Sequence, residues 1–118
     1  MKKIFILITL LMGSLFLYAD EKPSFPGGEE ALKKYVADNT RYPSVAKEMG
    51  IEGIVVVGFI VNTDGSLTNI KVIKFIDPDL ENEAVRVVTA MPAWIPAKKD
   101  GTLIEAPSKV DVPFILQE

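Results

Sequence analysis

Hydrophobic and polar positions divide the chain into one long apolar block and a set of short periodic segments. Residues 4–19 (IFILITLLMGSLFLYA) are apolar apart from Thr9, Gly13 and Ser14, and the block ends abruptly at Asp20-Glu21-Lys22. As a helix, sixteen residues reach about 24 Å, short of a hydrocarbon core of about 30 Å. With Lys2-Lys3 in front and Ala19 as a −1 residue, the block reads as a signal-peptide core rather than a permanent span. Leu17 at −3 is larger than cleavage sites prefer, which keeps an uncleaved, tilted anchor as the alternative. In both cases the rest of the chain is exported. Residues 20–27 (DEKPSFPG) read as a short linker, and 28–118 as one domain.

Within the domain, Leu32, Tyr35 and Val36 give one apolar face to a helix running from Gly28 to about Asn39, with Glu29 and Glu30 in its first turn. Pro43 starts a short helical turn in which Ala46 and Met49 face inward, and Gly50 ends it. Ile54–Asn62 is predicted as a strand whose two faces are both apolar: Val55, Val57, Phe59 and Val61 on one, Ile54, Val56 and Ile60 on the other. Such a strand belongs at the centre of a sheet or is covered on both sides. Thr63-Asp64-Gly65-Ser66 is a turn, and Leu67–Phe75 returns antiparallel. Asp77 as N-cap and Pro78 at N1 open a second helix carrying Leu80, Ala84, Val87, Val88 and Met91, stopped by Pro92.

Residues 92–102 read as a loop. The last strand falls within 103–116, most clearly over 110–116. Pro107 and Pro113 each lack a backbone N–H, which assigns this strand to a sheet edge. The fold class that follows is α+β: two helices packed on one face of a three-stranded antiparallel or mixed sheet in the order 2-1-3. The crossover between strands two and three is right-handed if those two run parallel.

Composition narrows the chemistry. The domain has no more than 99 residues, room for a single core that buries about 60–65% of its unfolded surface. With 48% apolar and 25% charged residues it is ordinary globular material. There is no His and no Cys, so the chain holds no Ser-His-Asp or Cys-His nucleophile, no His/Cys zinc site and no disulfide. Removing Lys2 and Lys3 with the leader leaves 11 basic side chains against 16 acidic ones, a net charge of −5. The remaining basic residues cluster only as Lys33-Lys34 and Lys98-Lys99, which argues against a nucleic-acid surface.

The acidic run Asp77, Asp79, Glu81, Glu83 has Asn82 where a calcium loop needs Gly and Val88 where it needs Glu, so capping and first-turn charge account for it. Nothing places paired carboxylates in one cleft, and no enzymatic role or cofactor is expected. Trp94, between Pro92 and Pro96, is either a core plug or a partner-contact anchor. The proline-marked edge strand is either protected by its prolines or a template for an added partner strand. Pattern alone leaves both open.

Together these residues resemble a known family. The run Tyr42-Pro43-x-x-Ala46-x-x-x-Gly50-x-x-Gly53 leads into Val55-x-Val57-x-Phe59-x-Val61-x-x-Asp64-Gly65. Leu80-x-x-Glu83-Ala84, Met91-Pro92-x-Trp94-x-Pro96, Gly101 and a closing Val-Pro-Phe strand follow. This resembles the C-terminal domain of TonB, the energy transducer of Gram-negative bacteria. Phe25-Pro26-Gly27-Gly28 is similar to Bacteroidetes members. The resemblance covers about residues 25–116.

It implies a periplasmic domain that pairs by strand addition with the TonB box of an outer-membrane receptor, in TonB-dependent transport. The receptor strand would lie beside Val110, Asp111, Val112, Phe114, Ile115 and Leu116. Asn39, Arg41 and Tyr42 would also meet the receptor. In the family, an N-terminal anchor carrying a His engages an inner-membrane motor complex, and a long Pro-rich linker crosses the periplasm. This chain has no His, and residues 20–27 reach at most about 28 Å. The expectation is therefore a receptor-binding module more than an energy transducer. The alternative is a self-pairing structural or assembly protein of the envelope, a homodimer through the same edge.

Overall fold

The computed structural model describes residues 20–117; the apolar block read as leader or anchor lies outside them. Helix α1 spans Gly28–Asn39, α2 Ser44–Glu48 and α3 Pro78–Thr89. The strands are β1 Gly53–Val61, β2 Leu67–Lys74, β3 Ala97–Lys99, β4 Thr102–Ile104 and β5 Ala106–Phe114. The main sheet runs β2-β1-β5, with β1 antiparallel to both neighbours, as the apolar composition of the first strand requires. β2 and β5 are therefore parallel to each other across β1.

One face of β1 forms the core. Val55, Val57, Phe59 and Val61 are buried, as are Val110, Val112 and Phe114 of β5. Leu32 and Val36 of α1 and Leu80, Ala84, Val87 and Val88 of α3 close over them. The opposite face carries Ile54, exposed, and Val56 and Ile60, half-buried. The helices thus lie on one face only, and the second apolar face of β1 reflects its central place in the sheet rather than a second layer.

Local signals behave as their chemistry dictates. Asp77 Oδ2 accepts from the N–H groups of Asp79 (3.0 Å) and Leu80 (3.2 Å), and Pro78 opens α3. Just before it, the N–H of Ile76 donates to the buried carboxylate of Glu81 (2.8 Å). Gly50 takes a left-handed φ of 71° after α2, and the Ile51 N–H returns to Ala46 O (2.9 Å). Met49, expected to face inward, is 69% exposed: the helical turn is only five residues long and presents a single inward position, taken by Ala46.

Two readings are corrected. Residues 92–102 are not simply a loop, because β3 and β4 pair as a small hairpin (Ala97–Ile104, Lys98–Leu103, Lys99–Thr102) turned by Asp100-Gly101, both at positive φ. The last strand begins at Ala106 and stops at Phe114, so Ile115 and Leu116 follow it. The short helical turn expected after Pro43 is present as α2.

The segment read as a linker is bonded to the rest of the domain. Asp20 and Glu21 N–H groups donate to Lys98 O, Lys98 N–H to Glu21 O, and Ser24 and Ile95 exchange both backbone bonds. Asp20 Oδ2 accepts from Asp100 N–H (2.5 Å). Phe25 is 7% exposed and packs on Tyr35 (5.5 Å between ring centres) and edge-on to Trp94 (5.9 Å). The spacing of Asp20 to Ser24 has no period that would have shown this, because the partner strand lies some seventy residues away. The Trp94 ring is buried among Phe25 and Phe59, and its backbone N–H donates to Gly65 O (2.9 Å), which is the core-plug arrangement.

Candidate partner-binding edge

β5 pairs with β1 along its full length, Gly53–Phe114 through Val61–Ala106, in an unbroken register. Its other side pairs with no described strand. Beside that free side runs a cleft of about 880 Å³ between α1 and the edge. Leu32, Val36 and Thr40 of α1 form one wall, Val110 and Phe114 the floor, and Glu29 and Lys33 stand at the rim.

The amphipathic spacing of α1 aims Leu32 and Val36 at the core. The helix stops at Asn39, where the Asn39 side-chain amide donates to Tyr35 O (2.8 Å) and the Thr40 hydroxyl to Val36 O (2.6 Å). Val36 O also accepts from the Thr40 backbone N–H (3.0 Å), so side chain and backbone together close the helix end.

The chain then crosses the end of the cleft at Tyr42. The Tyr42 ring meets Phe114 edge-on at 5.5 Å, and its hydroxyl donates to Ile51 O. Burial raises the Tyr42 pKa, and the nearby Glu52 carboxylate adds to the rise. Tyr42 is therefore an un-ionised donor at neutral pH.

A polar cluster on α3 fixes the approach to Tyr42. Glu83 receives two bonds from the Arg86 guanidinium (2.8 and 2.7 Å) and one from the Arg41 backbone N–H (2.7 Å). Arg86 also donates to Asn39 O (2.8 Å). The Arg86 bonds, and then the Arg41 N–H, hold the Glu83 carboxyl below its ordinary value despite partial burial.

The expected site residues separate into three groups. Val110, Val112 and Phe114 are 3%, 0% and 1% exposed, so their side chains form core and cleft floor. Asp111 and Ile115 are exposed beside the free edge, while Leu116, half-buried, donates its N–H to Glu52 Oε2 (2.6 Å). Of Asn39, Arg41 and Tyr42 only Tyr42 lines the cleft, and the Asn39 amide and the Arg41 N–H are engaged within the fold. The sequence reading missed Lys109 on the edge, and Leu32 and Val36 in the cleft wall. The proline spacing in β5 and the period of α1 were the available signals.

The three-stranded sheet leaves both outer strands, β2 and β5, without a second strand partner among the described residues, and the β5 edge is the one that lies beside the apolar cleft. Among the described residues no group of His, Cys, Asp or Glu could hold a metal, and no helix is long and apolar enough to cross a membrane.

Comparison with known proteins gives the family. Residues 38–116 match the Gram-negative bacterial TonB protein C-terminal family, and the chain belongs to it. Curated proteins called Protein TonB, from two Helicobacter pylori strains, are 36% and 35% identical over 87 residues. These alignments cover 74% of this chain and 30% of each relative, so the chain spans under a third of their length. Two NMR structures of the Helicobacter pylori TonB C-terminal domain share the fold. One has a TM-score of 0.56 at 28% identity, covering 79% of this chain and 88% of its own. The other has 0.57 at 29%, covering 75% and 94%.

Proposed function

We propose that this chain is a periplasmic TonB-like module whose β5 edge pairs by strand addition with the TonB box of an outer-membrane receptor. It would serve TonB-dependent transport as the part that grips the receptor. The observation carrying this reading is the unpaired side of β5 next to the α1 cleft, in a chain of the TonB C-terminal family. Main-chain hydrogen bonds along the edge supply affinity and the cleft selects side chains. Export through the apolar N-terminal block puts the module in the receptor's compartment. Membership of the TonB C-terminal family supports the same process, in which residues 20–117 would supply the binding half.

The test is an NMR titration of the ¹⁵N-labelled chain with TonB-box peptides of the host's receptors. Amide shifts concentrated over residues 109–115 and around Tyr42 are expected. A folded protein whose edge amides do not move at millimolar peptide would end the receptor reading. A mass that doubles with concentration would then favour the self-pairing alternative.

A further inference from the structure

The prolines of β5 determine which way its backbone faces. In an antiparallel ladder, successive residues alternate between turning their N–H and C=O toward the neighbour and away from it. Pro113 pairs with Ile54 and Pro107 with Ile60, positions of the same parity. Neither proline has an N–H to give β1, so this parity faces the free side. Lys109 and Asp111 share it. The opposite parity, which includes Val110 and Val112, bonds to β1. The Leu116 N–H, of that same opposite parity, indeed points to Glu52, at the start of β1.

The free side of β5 therefore offers two N–H donors, Lys109 and Asp111, bracketed by Pro107 and Pro113. Ile115 has the outward parity but lies past the strand's end. The side chains of Lys109 and Asp111 stand exposed on the face away from the helices. The positions between and beside them, Val110 and Val112, face the core side where the cleft lies.

Resting on the reading of β5 as a partner-binding edge, we infer that it accepts an extended peptide in a single short register centred on Lys109 and Asp111. The peptide carries apolar side chains at alternate positions facing Leu32, Val36 and Phe114. Between them it carries an acidic residue opposite Lys109 and a basic one opposite Asp111, since opposite charges directly across a sheet stabilise the pair. A shift of two residues either way sets a proline against a peptide carbonyl that needs a donor. The prolines thus act as end stops as well as guards against indiscriminate pairing.

The probes are two capped heptapeptides, Thr-Val-Lys-Val-Glu-Val-Thr and Thr-Val-Glu-Val-Lys-Val-Thr, which place the charges for antiparallel and parallel addition respectively. Each is titrated into the purified chain by calorimetry, with amide shifts as a second readout. One of the two binds, and more tightly than its charge-reversed counterpart. Asp111→Pro and Lys109→Pro each remove one outward donor and leave the β1 ladder intact. Each should stay folded and weaken binding about tenfold. Pro113→Val adds a third outward donor and should tighten binding severalfold. Val112→Pro, which removes an inward donor, should lose the fold itself.

Unfolding of Asp111→Pro and Lys109→Pro alongside Val112→Pro would overturn the assignment of the outward donors. Unchanged affinity in both folded proline variants, or no gain in Pro113→Val, would overturn the register. Receptor-box peptides that shift the edge while neither heptapeptide binds would sink this inference and leave the proposed function standing. No response to any extended peptide would sink both.

Discussion

Glu83 shows how one carboxylate can hold a functional segment in place. Its bond from the Arg41 N–H joins α3 to the chain just before Tyr42, while its two bonds from Arg86 lie within α3 and Arg86 extends the tie to Asn39 O. Its folded pKa lies below the ordinary value of 4.5. The sign follows from linkage: the stabilisation is present in full above the unfolded pKa and is lost as pH falls through the depressed folded value. Glu83→Gln should cost about 1 kcal/mol at pH 7, less than a fully buried charged hydrogen bond because Arg86 is partly exposed and Gln still accepts. Thermal melts from pH 7 to pH 3 should show a shallower acid limb in the variant. An acid limb as steep as that of the wild type would assign the loss to other carboxylates.

At the scale of elements, the β1–β2 turn and the Trp94 loop depend on a missing side chain. Gly65 has φ 87°, and a Cβ there would fall 2.4 Å from Trp94 O. Asp64 Oδ1 accepts from the Ser66 N–H (2.9 Å) and hydroxyl (2.6 Å), which shapes the same turn. Gly65→Ala combines a left-handed backbone with a clash against backbone, and should cost about 2–3 kcal/mol in chemical denaturation. A loss below 0.5 kcal/mol would mean that the Trp94 loop can move aside.

Elements defined by local chemistry were legible in the chain. The cap at Asp77, the turn at Asp64-Gly65, the doubly apolar β1 and the proline-marked edge all emerge in the fold. What was not legible depends on partners distant in sequence. The β3–β4 hairpin has three-residue strands, too short to show a period of two. The Asp20–Ser24 pairing has meaning only beside Ile95 and Lys98. The candidate edge was found from the prolines, but which of its residues face outward was not, because parity is a property of the register with β1. Three of the six expected edge residues, Val110, Val112 and Phe114, consequently turn their side chains to the core and the cleft floor rather than outward.

For the whole molecule, the N-terminal segment is part of the core. Phe25 reaches into an aromatic cluster with Tyr35, Trp94 and, through Trp94, Phe59. Phe25→Ala should cost about 3 kcal/mol, the range of a large aromatic truncation. That is a large share of the stability of a domain this size. Hydrogen exchange should show the loss spreading to β3 and to the Trp94 loop rather than staying at the terminus. Protection unchanged beyond residue 27 would mean that the segment only decorates the domain.

The same strap has a consequence for length under tension. Residues 20–27, drawn out straight, measure at most about 28 Å. In the folded state that length is taken up against Ile95, Lys98 and Asp100. A pull through Asp20 meets the bonds to Asp100 and Lys98 first, then the Ser24–Ile95 pair, and only then Phe25. The β1–β5 ladder lies behind all of them. A pull from this side would therefore peel the strap in steps, bond by bond, before the load reached Phe25 and the β1–β5 ladder.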